Sequence, residues 1–434
     1  MASTYLDVTA RNDWSSTLPA SNRSYFYPSV SLGWVWSDML KRSGVELPSW
    51  MSYGKLRGSF AIVGNDAPTY LTNYTYKLEP GVDGNQFGRV DPIKPAEDLK
   101  PEQTTSYEFG AEFKLFNGRL SLDYTYYNNS TKDQILVIDD VPSSGYKQRV
   151  VNAGEIQNYG HELTITGDVL KNKEGLNWTS NINFSKNTNY VVSLTDDLPY
   201  YSVMSNSNII PANIRITAGG GYGDIYGRGF QRDNDGNVLV GDDGLPLLTS
   251  DYVNLGNNQP DVLLGWGNTF KYKKWTLDFM FNMSFGGDVY SWTNSVLAGN
   301  GNASFTTDNR EGGMIISGVN AKTGKPNTKE VTAQEYWQAV GGENGAVEPF
   351  LYDASYISLS NLSLSYKVGT IGNDQFSLTN VVVGVYGSNL WYAYKNTNGW
   401  VPNSSSSNYD SVQGIEAFSQ PYTRSFGFNL GFNL

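Results

Sequence analysis

Apolar and polar residues alternate along most of the chain, so every second side chain would lie on the same face of an extended strand. The clearest run continues to the last residue, where Ser, Gly and Asn separate five apolar residues: Phe426, Phe428, Leu430, Phe432 and Leu434. A second run, whose polar set is interrupted only at Met280, has the apolar members Trp275, Leu277, Phe279, Phe281, Met283 and Phe285. These runs predict strands with one apolar face and one polar face.

Shorter runs of the same kind recur in residues 28–36, 56–62, 107–115, 163–165 and 264–272. In one later run the alternation slips by one position, because Ile357 and Leu359 are out of phase with Leu362. An extra residue in one strand of a pair shifts the phase in this way. The step at Ser360 and Asn361 therefore predicts a β-bulge.

The segments between these runs fall into a short class and a long class. Asn117-Gly118 is typical of a two-residue hairpin, and Lys273-Lys274 occupies an equally tight join. In outer-membrane barrels the short turns are periplasmic and the long loops are extracellular. Counting from these turns places residues 171–175 and 369–375 inside, and it places the longer segments outside: 13–24, 65–102, 131–157, 189–262, 286–355 and 395–421.

This count gives about 12 antiparallel strands, the first at residues 4–12 and the last at 422–434, with both chain ends on the periplasmic side. Residues 38–52 are the one connection that is long for the inner side. A β-sandwich would not need long and short connections to alternate so regularly. The pattern therefore predicts an all-β, antiparallel transmembrane β-barrel with long extracellular loops.

Composition favours a membrane barrel over a membrane helix. Aromatic residues make up 14 % of the chain and charged residues 17 %. No apolar run reaches the roughly 18 residues of a spanning helix, whereas a barrel strand needs only alternate apolar positions. The absence of cysteine is compatible with an oxidising compartment. The N-terminal residues carry no export signal, so we expect a mature, truncated or engineered form.

The net charge and the reactive residues exclude several classes of function. A net charge of −11 gives no basic face, so we expect no nucleic-acid partner. The only histidine, His161, lies by our interpretation at the start of a strand, and the sequence lacks the partners of a catalytic triad or a zinc site. We therefore predict no enzyme, and no catalytic, cofactor-binding or metal-binding residues.

Two loop motifs have a structural interpretation. Residues 233–237, Asp-Asn-Asp-Gly-Asn, are similar to the opening of a calcium loop but lack its later glutamate, which favours an Asp-Gly hairpin and leaves calcium as the alternative. Residues 219–223 are Gly-rich without the Lys-Ser/Thr pair of a phosphate loop. A flexible loop is the plain interpretation there, and an ordered lumenal or extracellular hairpin is the alternative.

Aromatic residues in the outer segments offer possible substrate contacts, because their rings can stack on sugars or on peptide side chains. Girdle aromatics at the membrane interface are equally common in barrels of this kind, so substrate-binding residues stay unassigned. The candidates are Tyr290, Trp292, Trp391, Tyr392, Tyr394 and Trp400.

Six stretches that span almost the whole chain carry a family resemblance. They are YLDVTARNDWSS (5–16), YFYPSVSLGW (25–34), GKLRGSFAIVGN (54–65), DYTYY (123–127), VNAGEIQNYGHE (151–162) and YISLSNLSLSY (356–366). Their sequences and their order resemble the C-terminal barrel region of the SusC/RagA family of TonB-dependent transporters. The resemblance implies that residues 1–434 form the C-terminal portion of such a barrel, in the outer membrane of a Gram-negative bacterium.

The resemblance also implies partners. Full-length members have a barrel of about 22 strands and an N-terminal plug that contacts TonB. They import oligosaccharides or peptides under a SusD-like lipoprotein lid. We therefore expect a partner polypeptide to supply the plug and about ten strands.

Two other interpretations stay open at the level of sequence. One is a soluble, secreted β-rich protein that binds carbohydrate or has a structural role. The other is a self-closed 12-strand outer-membrane pore or hydrolase, although the single histidine weakens the hydrolase version.

Overall fold

Twelve antiparallel strands form one sheet in sequence order in a computed structural model. The structure describes residues 3–81, 84–195, 198–203, 209–373, 376–397, 399–402 and 413–433. The strands are β1 (Thr4–Trp14), β2 (Ser24–Trp34), β3 (Met51–Asn65), β4 (Glu102–Leu115), β5 (Leu120–Lys132), β6 (Glu155–Leu170), β7 (Leu176–Ser193), β8 (Val262–Tyr272), β9 (Trp275–Phe285), β10 (Tyr356–Asn373), β11 (Phe376–Lys395) and β12 (Ser425–Asn433). The predicted all-β class and the count of about 12 strands are confirmed.

Short and long connections alternate as predicted, but two of the short ones differ in length. Residues 171–175 and 273–274 join their strands at the predicted positions. The turn at Asn117-Gly118 has four residues rather than two, because Leu115 pairs with Leu120. The prediction of an inner turn over 369–375 was wrong in extent, since β10 continues to Asn373. Register shifts around Gly369 absorb the extra residues within the strand, and residues 374–375 lie outside the described residues.

The long inner connection contains a short helix, α1 (Trp36–Arg42). The ring of Trp36 lies over Gly54 of β3, where a methyl group would overlap the indole. The extra length of this connection therefore covers the adjoining part of β3.

The long outer connections contain more regular structure than the single hairpin that we favoured at residues 233–237. They hold the helices α2 (Trp292–Gly299) and α3 (Ala333–Val340). Among the described residues no helix is long and apolar enough to span a membrane. The short strands are Tyr76–Pro80, Gln86–Val90, Ile93–Lys94, Ile135–Asp139, Gln148–Asn152, Tyr200–Ser202, Asn213–Thr217, Tyr222–Gly227, Leu239–Val240, Val253–Asn257, Asp288–Ser291, Met314–Ile315, Val319–Asn320, Glu330–Val331, Leu351–Asp353 and Ile415–Glu416.

The strand register separates an apolar face from a polar face, because directly opposed residues of an antiparallel pair share a face. Phe281 stands opposite Trp266 and Leu359, whereas its neighbour Asn282 stands opposite Gly265 and Ser358. The same separation holds for Trp34 opposite Leu56, for Asp278 opposite Thr269 and for Glu112 opposite Asp123. Phe279 stands opposite Leu362 of β10, but on the β8 side it stands opposite Asn268.

The predicted bulge is confirmed. Met280 pairs with Asn361 and Phe281 pairs with Leu359, so Ser360 has no opposite residue in β9. The extra residue restores the apolar phase, and Leu359 and Leu362 both lie opposite apolar residues of β9.

The chain divides into two compact units, each with a core outside the sheet. The first unit comprises residues 1–173, 177–201 and 217–220, and the second comprises 174–176, 202–216 and 221–434. The buried core of the first unit's loops is Leu18, Ala67, Leu99 and Val150. The buried core of the second unit, called here the loop core, is Ala212, Ile214, Ile225, Tyr290, Trp292, Ala298, Val340, Val347, Phe350 and Ile415.

The first and last strands each have one paired edge among the described residues. β1 pairs with β2 over its whole length, up to the contact of Trp14 with Ser24, and is therefore longer than the predicted 4–12. β12 pairs with β11 and begins at the contact of Ser425 with Ser388, so it starts later than the predicted residue 422. Leu434, the predicted last member of this strand, lies outside the described residues.

Candidate functional site: inner wall and loop core

A row of charged and polar side chains crosses the polar face of the first unit, called here the inner wall. Lys55, Glu112, Asp123, Thr164 and Asn183 stand opposite one another across β3 to β7. Arg57 holds Asp123 with the two terminal nitrogens of its guanidinium, at 2.6 Å from Nη2 to Oδ1 and 3.3 Å from Nη1 to Oδ2. The pair is partly exposed, so it orients this wall more than it stabilises the fold.

Asparagine side chains form a hydrogen-bonded ladder on the same face of β6 and β7. Asn183 Nδ2 donates to Asn181 Oδ1 at 2.8 Å, and Asn189 Nδ2 donates to Asn158 Oδ1 at 2.7 Å. Tyr127 Oη joins from β5 by donating to Asn187 at 2.9 Å. An amide both donates and accepts, so this ladder presents a neutral surface that can pair with hydroxyls or with peptide groups.

The loop core joins three outer connections that are far apart in sequence. It takes Ile225 from the connection after β7, Tyr290 and Val347 from the one after β9, and Ile415 from the one after β11. All four are almost fully buried. Burying apolar side chains from three connections in one cluster gives these loops a fixed arrangement.

A buried carboxylate ties two of these connections together. Glu416 is 2 % exposed, and its oxygens accept hydrogen bonds from Ser291 Oγ at 2.6 Å and Thr293 Oγ1 at 2.7 Å. The backbone N–H of Ser419 also donates to it, at 3.1 Å. Ser291 in turn caps α2 by accepting from Asn294 N. The start of α2 is therefore held by a residue from the last outer connection.

The segment at 233–237 is a hairpin, as the favoured interpretation predicted. Arg232 pairs with Val238 across it, and the carboxylate of Asp233 accepts from the backbone N–H groups of Asp235 and Asn237. These bonds lower the pKa of Asp233, the largest contribution coming from the Asn237 side chain. Arg232 also pairs with Glu348, which accepts from Phe230 N at 2.8 Å, so the hairpin is anchored to the connection after β9.

The Gly-rich segment at 219–223 is an ordered hairpin, which was our alternative to a flexible loop. It joins Asn213–Thr217 to Tyr222–Gly227. Gly219 N donates to Val191 O at 2.8 Å, and Val191 N donates to Gly220 O at 3.0 Å, which fixes the turn to β7. Gly219 has a φ of 81°, a left-handed conformation that favours glycine.

The position predicted for His161 was wrong. Its strand, β6, begins at Glu155, so His161 lies within the strand rather than at its start. It stands on the apolar face opposite Tyr126, and its Nδ1 is 2.7 Å from Tyr124 Oη. This hydrogen bond satisfies one nitrogen of the imidazole, and Lys186 of β7 stands opposite on the other side of His161.

The aromatic candidates separate into groups that the sequence did not distinguish. Tyr290 and Trp292 belong to the loop core, 0 % and 6 % exposed, and are neither girdle nor surface residues. Three others lie in β11 rather than in a loop: Trp391, Tyr392 and Tyr394. Trp391 stands opposite Leu359 on the apolar face, as a girdle residue would, and Trp400 packs edge-on against Tyr352 at 5.9 Å.

Carboxylates do not gather into a metal site in the described part of the chain, where no three His, Cys, Asp or Glu side chains are grouped as a metal would need. Asp288 is a partly buried acid in the short strand that carries Tyr290 of the loop core. Burial raises its pKa, and the charges of Asp353 and Asp261 raise it further, while the N–H of Asn257 at 3.1 Å acts in the opposite direction.

Sequence reasoning missed the loop core and both of its helices. A sequence pattern that could have predicted α3 was present, because Thr332 and Glu335 form the Ser/Thr-x-x-Glu capping box that starts many helices. The buried Glu416 had no comparable pattern, since its hydroxyl partners are more than a hundred residues away.

Comparison with known proteins identifies the family. The family described as TonB dependent receptor-like, beta-barrel matches residues 4–390. TonB-dependent receptor P3 of Formosa agariphila is 26 % identical over 464 residues, a match that covers 99 % of this chain and 44 % of that protein. TonB-dependent receptor SusC of Bacteroides thetaiotaomicron is 25 % identical, with 85 % of this chain and 36 % of that protein covered.

Solved structures show the same fold. The RagAB peptide importer in its closed-closed state superposes with a TM-score of 0.70 at 20 % identity, covering 98 % of this chain and 45 % of that one. The chain thus spans less than half the length of these relatives. The resemblance to SusC/RagA is confirmed, and the soluble interpretation is overturned because proteins of this kind are outer-membrane proteins. The chain belongs to the TonB-dependent receptor-like β-barrel family.

Proposed function

We propose that the chain forms the C-terminal half of the barrel wall, with its extracellular loops, in an outer-membrane importer of oligosaccharides or peptides. The observation that carries this proposal is that β1 and β12 each have a single paired edge among the described residues. Unpaired backbone is costly in lipid, so both edges call for further strands. The coverage of less than half of each relative supports the same conclusion.

A plug and about ten more strands complete the barrel, which then has roughly 22 strands. TonB acts through that plug. The inner wall faces the passage, and the loop core is the platform on which a SusD-like lipoprotein lid closes. The names of the relatives describe receptors and an importer, which supports transport rather than catalysis.

A cysteine pair tests whether the chain closes on itself. Residues 1–434 contain no cysteine, so Val8→Cys and Phe428→Cys on the two free edges would be the only thiols in this part of the assembly. In membranes that contain the complete assembly we expect no disulfide between them. The control is Val8→Cys with Val30→Cys, which stand opposite each other in β1 and β2 and should cross-link. Efficient cross-linking of positions 8 and 428 would show a self-closed 12-strand barrel and overturn the proposal.

Removal of an outer connection tests the role of the loops. Replacing residues 286–355 by a short linker should abolish both lid association and nutrient uptake, because this connection supplies most of the loop core. Replacing the inner turn 171–175 by Asn-Gly is the control and should leave both unchanged. Normal lid association and uptake without residues 286–355 would contradict the assignment.

A further inference from the structure

A cavity of about 510 Å³ opens beside the loop core, between the end of α2 and the first turns of α3. Its lining combines one aromatic ring and one cation with three amides and two hydroxyls. The residues that matter are Asn300, Thr306, Arg310, Gln334, Trp337 and Gln338. No carboxylate is among its lining residues.

The walls of this cavity are fixed by close packing of the two helices. Gly342 N donates to Ser295 O at 3.2 Å and to Ser295 Oγ at 3.1 Å. Gly299 and Gly341 lie so close that a methyl group on Gly341 would meet Gly299 N at 2.6 Å. The cavity is therefore a preformed recess, and a ligand would not have to order it.

The cation in this recess is held in place without being neutralised. Arg310 Nε donates to Thr306 O at 3.0 Å, and Nη2 donates to Thr306 Oγ1 at 2.9 Å and to Gly301 O at 2.5 Å. Among the described residues it has no carboxylate partner. Arg232 and Lys322 of the same unit are each paired with one, Glu348 and Asp242. A guanidinium that is fixed but unpaired is suited to bind an anionic group.

The aromatic residue has an unused donor. Trp337 is held edge-on by Phe305 at 5.3 Å and by Tyr336 at 4.9 Å, measured between ring centroids. Its Nε1–H is buried and has no acceptor in the described residues. A buried donor without an acceptor costs about 1–3 kcal/mol, which a ligand oxygen would recover.

We propose that this recess binds an oligosaccharide that carries an anionic group, with the anion on Arg310 and ring oxygens or hydroxyls on Trp337 Nε1 and the amides. Amide and hydroxyl groups donate and accept at once, as sugar hydroxyls do, whereas a peptide would call for apolar side-chain pockets that this lining does not provide. This inference rests on the proposed function, since a site in an outer connection serves import only if the chain is part of an importer.

Calorimetric titration of the complete outer-membrane protein in detergent tests the site, with three probes: tri-galacturonate, neutral galactotriose and tri-glutamate. Tri-galacturonate should bind at least tenfold more tightly than either of the others. Gln334→Glu should weaken that binding at least tenfold, because it adds a negative charge to the recess without touching the bonds of Arg310. A glutamate in the first turn of α3 also suits the helix dipole, so the fold should tolerate it.

Further variants separate charge from folding. Arg310→Gln should weaken the binding of tri-galacturonate at least tenfold. Trp337→Phe keeps a ring but removes the N–H, and it should weaken the same binding about fivefold. Gln86→Glu is the control, because it makes the same exchange on an exposed hairpin of the first unit, and it should leave the affinity for tri-galacturonate unchanged. Failure of the wild-type protein to bind tri-galacturonate, equal binding by Gln334→Glu, or tighter binding of tri-glutamate would each overturn the inference. If positions 8 and 428 stay uncross-linked in that case, the proposed function stands without it.

Discussion

Glu416 accepts a hydrogen bond from Ser291 Oγ at 2.6 Å, although 125 residues separate the two along the chain. Residue 416 follows β11 and residue 291 follows β9. This hydrogen bond can therefore form only when the two outer connections are packed together. The loop core beside it is where we place the platform of the importer, and its integrity can be measured directly.

Glu416→Ala should loosen the start of α2. The substitution removes the acceptor for one buried hydroxyl, one partly buried hydroxyl and one backbone N–H, and we expect a loss of about 3 kcal/mol of local stability. Hydrogen exchange of residues 288–299 should speed up accordingly, while the barrel strands stay protected. Glu343→Ala, at an exposed position, is the control. Unchanged exchange in Glu416→Ala would mean that the carboxylate does not hold the loops together.

Phe281→Lys should impair membrane insertion far more than Asn282→Lys. The two residues are adjacent in β9 but lie on opposite faces, and Phe281 stands among Trp266, Phe279 and Leu359. A charge on the lipid-facing side costs roughly 2–4 kcal/mol near the midplane, whereas an inward position tolerates it. Folding of the complete assembly into liposomes, followed by heat-modifiable mobility on gels, gives the comparison. Equal effects of the two substitutions would defeat the assignment of the faces.

Gly54→Ala should destabilise the contact between α1 and β3. An added methyl group would overlap the Trp36 ring, and displacing the helix should cost about 1–3 kcal/mol. Gly167→Ala is the matched control, because its methyl group would meet nothing closer than Leu120 Cδ1 at 3.6 Å. Denaturant unfolding of both variants checks the difference. A Gly54→Ala protein as stable as the control would show that α1 does not pack as described.

Asp288→Asn should stabilise the loop core at neutral pH. Burial raises the pKa of Asp288, so the folded state holds its proton more tightly than the unfolded state does. Stability from this group is therefore present below the ordinary value of 3.8 and is lost as the pH rises through the raised pKa. Asparagine keeps the oxygen that Asn257 N–H needs and never ionises.

The measurement is differential scanning fluorimetry of wild type and Asp288→Asn between pH 4 and pH 8. The melting temperature of the variant should exceed that of wild type at pH 8, and the gap should narrow towards pH 4. Asp235→Asn, on an exposed hairpin, should show no comparable trend. A gap that widens on acidification would contradict the prediction.

The sequence by itself determined the barrel strands, because the side-chain period of two is local and is visible wherever one face is apolar and the other polar. The alternation predicted the bounds of the outer connections 65–102 and 286–355 to within one residue of the strand ends in the structure. The bulge at Ser360 was equally local, since one extra residue shifts the phase of every residue after it.

Only the tertiary structure decided what the outer connections do. Tyr290 and Trp292 belong to no alternating run, so nothing local told a core residue from a girdle or a ligand-contacting one. Their burial depends on Ile225 and Ile415 arriving from other connections, and the position of Arg310 beside Trp337 depends on two helices packing through glycines. Contacts between residues this far apart have no period in the sequence, because they depend on where the strands bring the chain together.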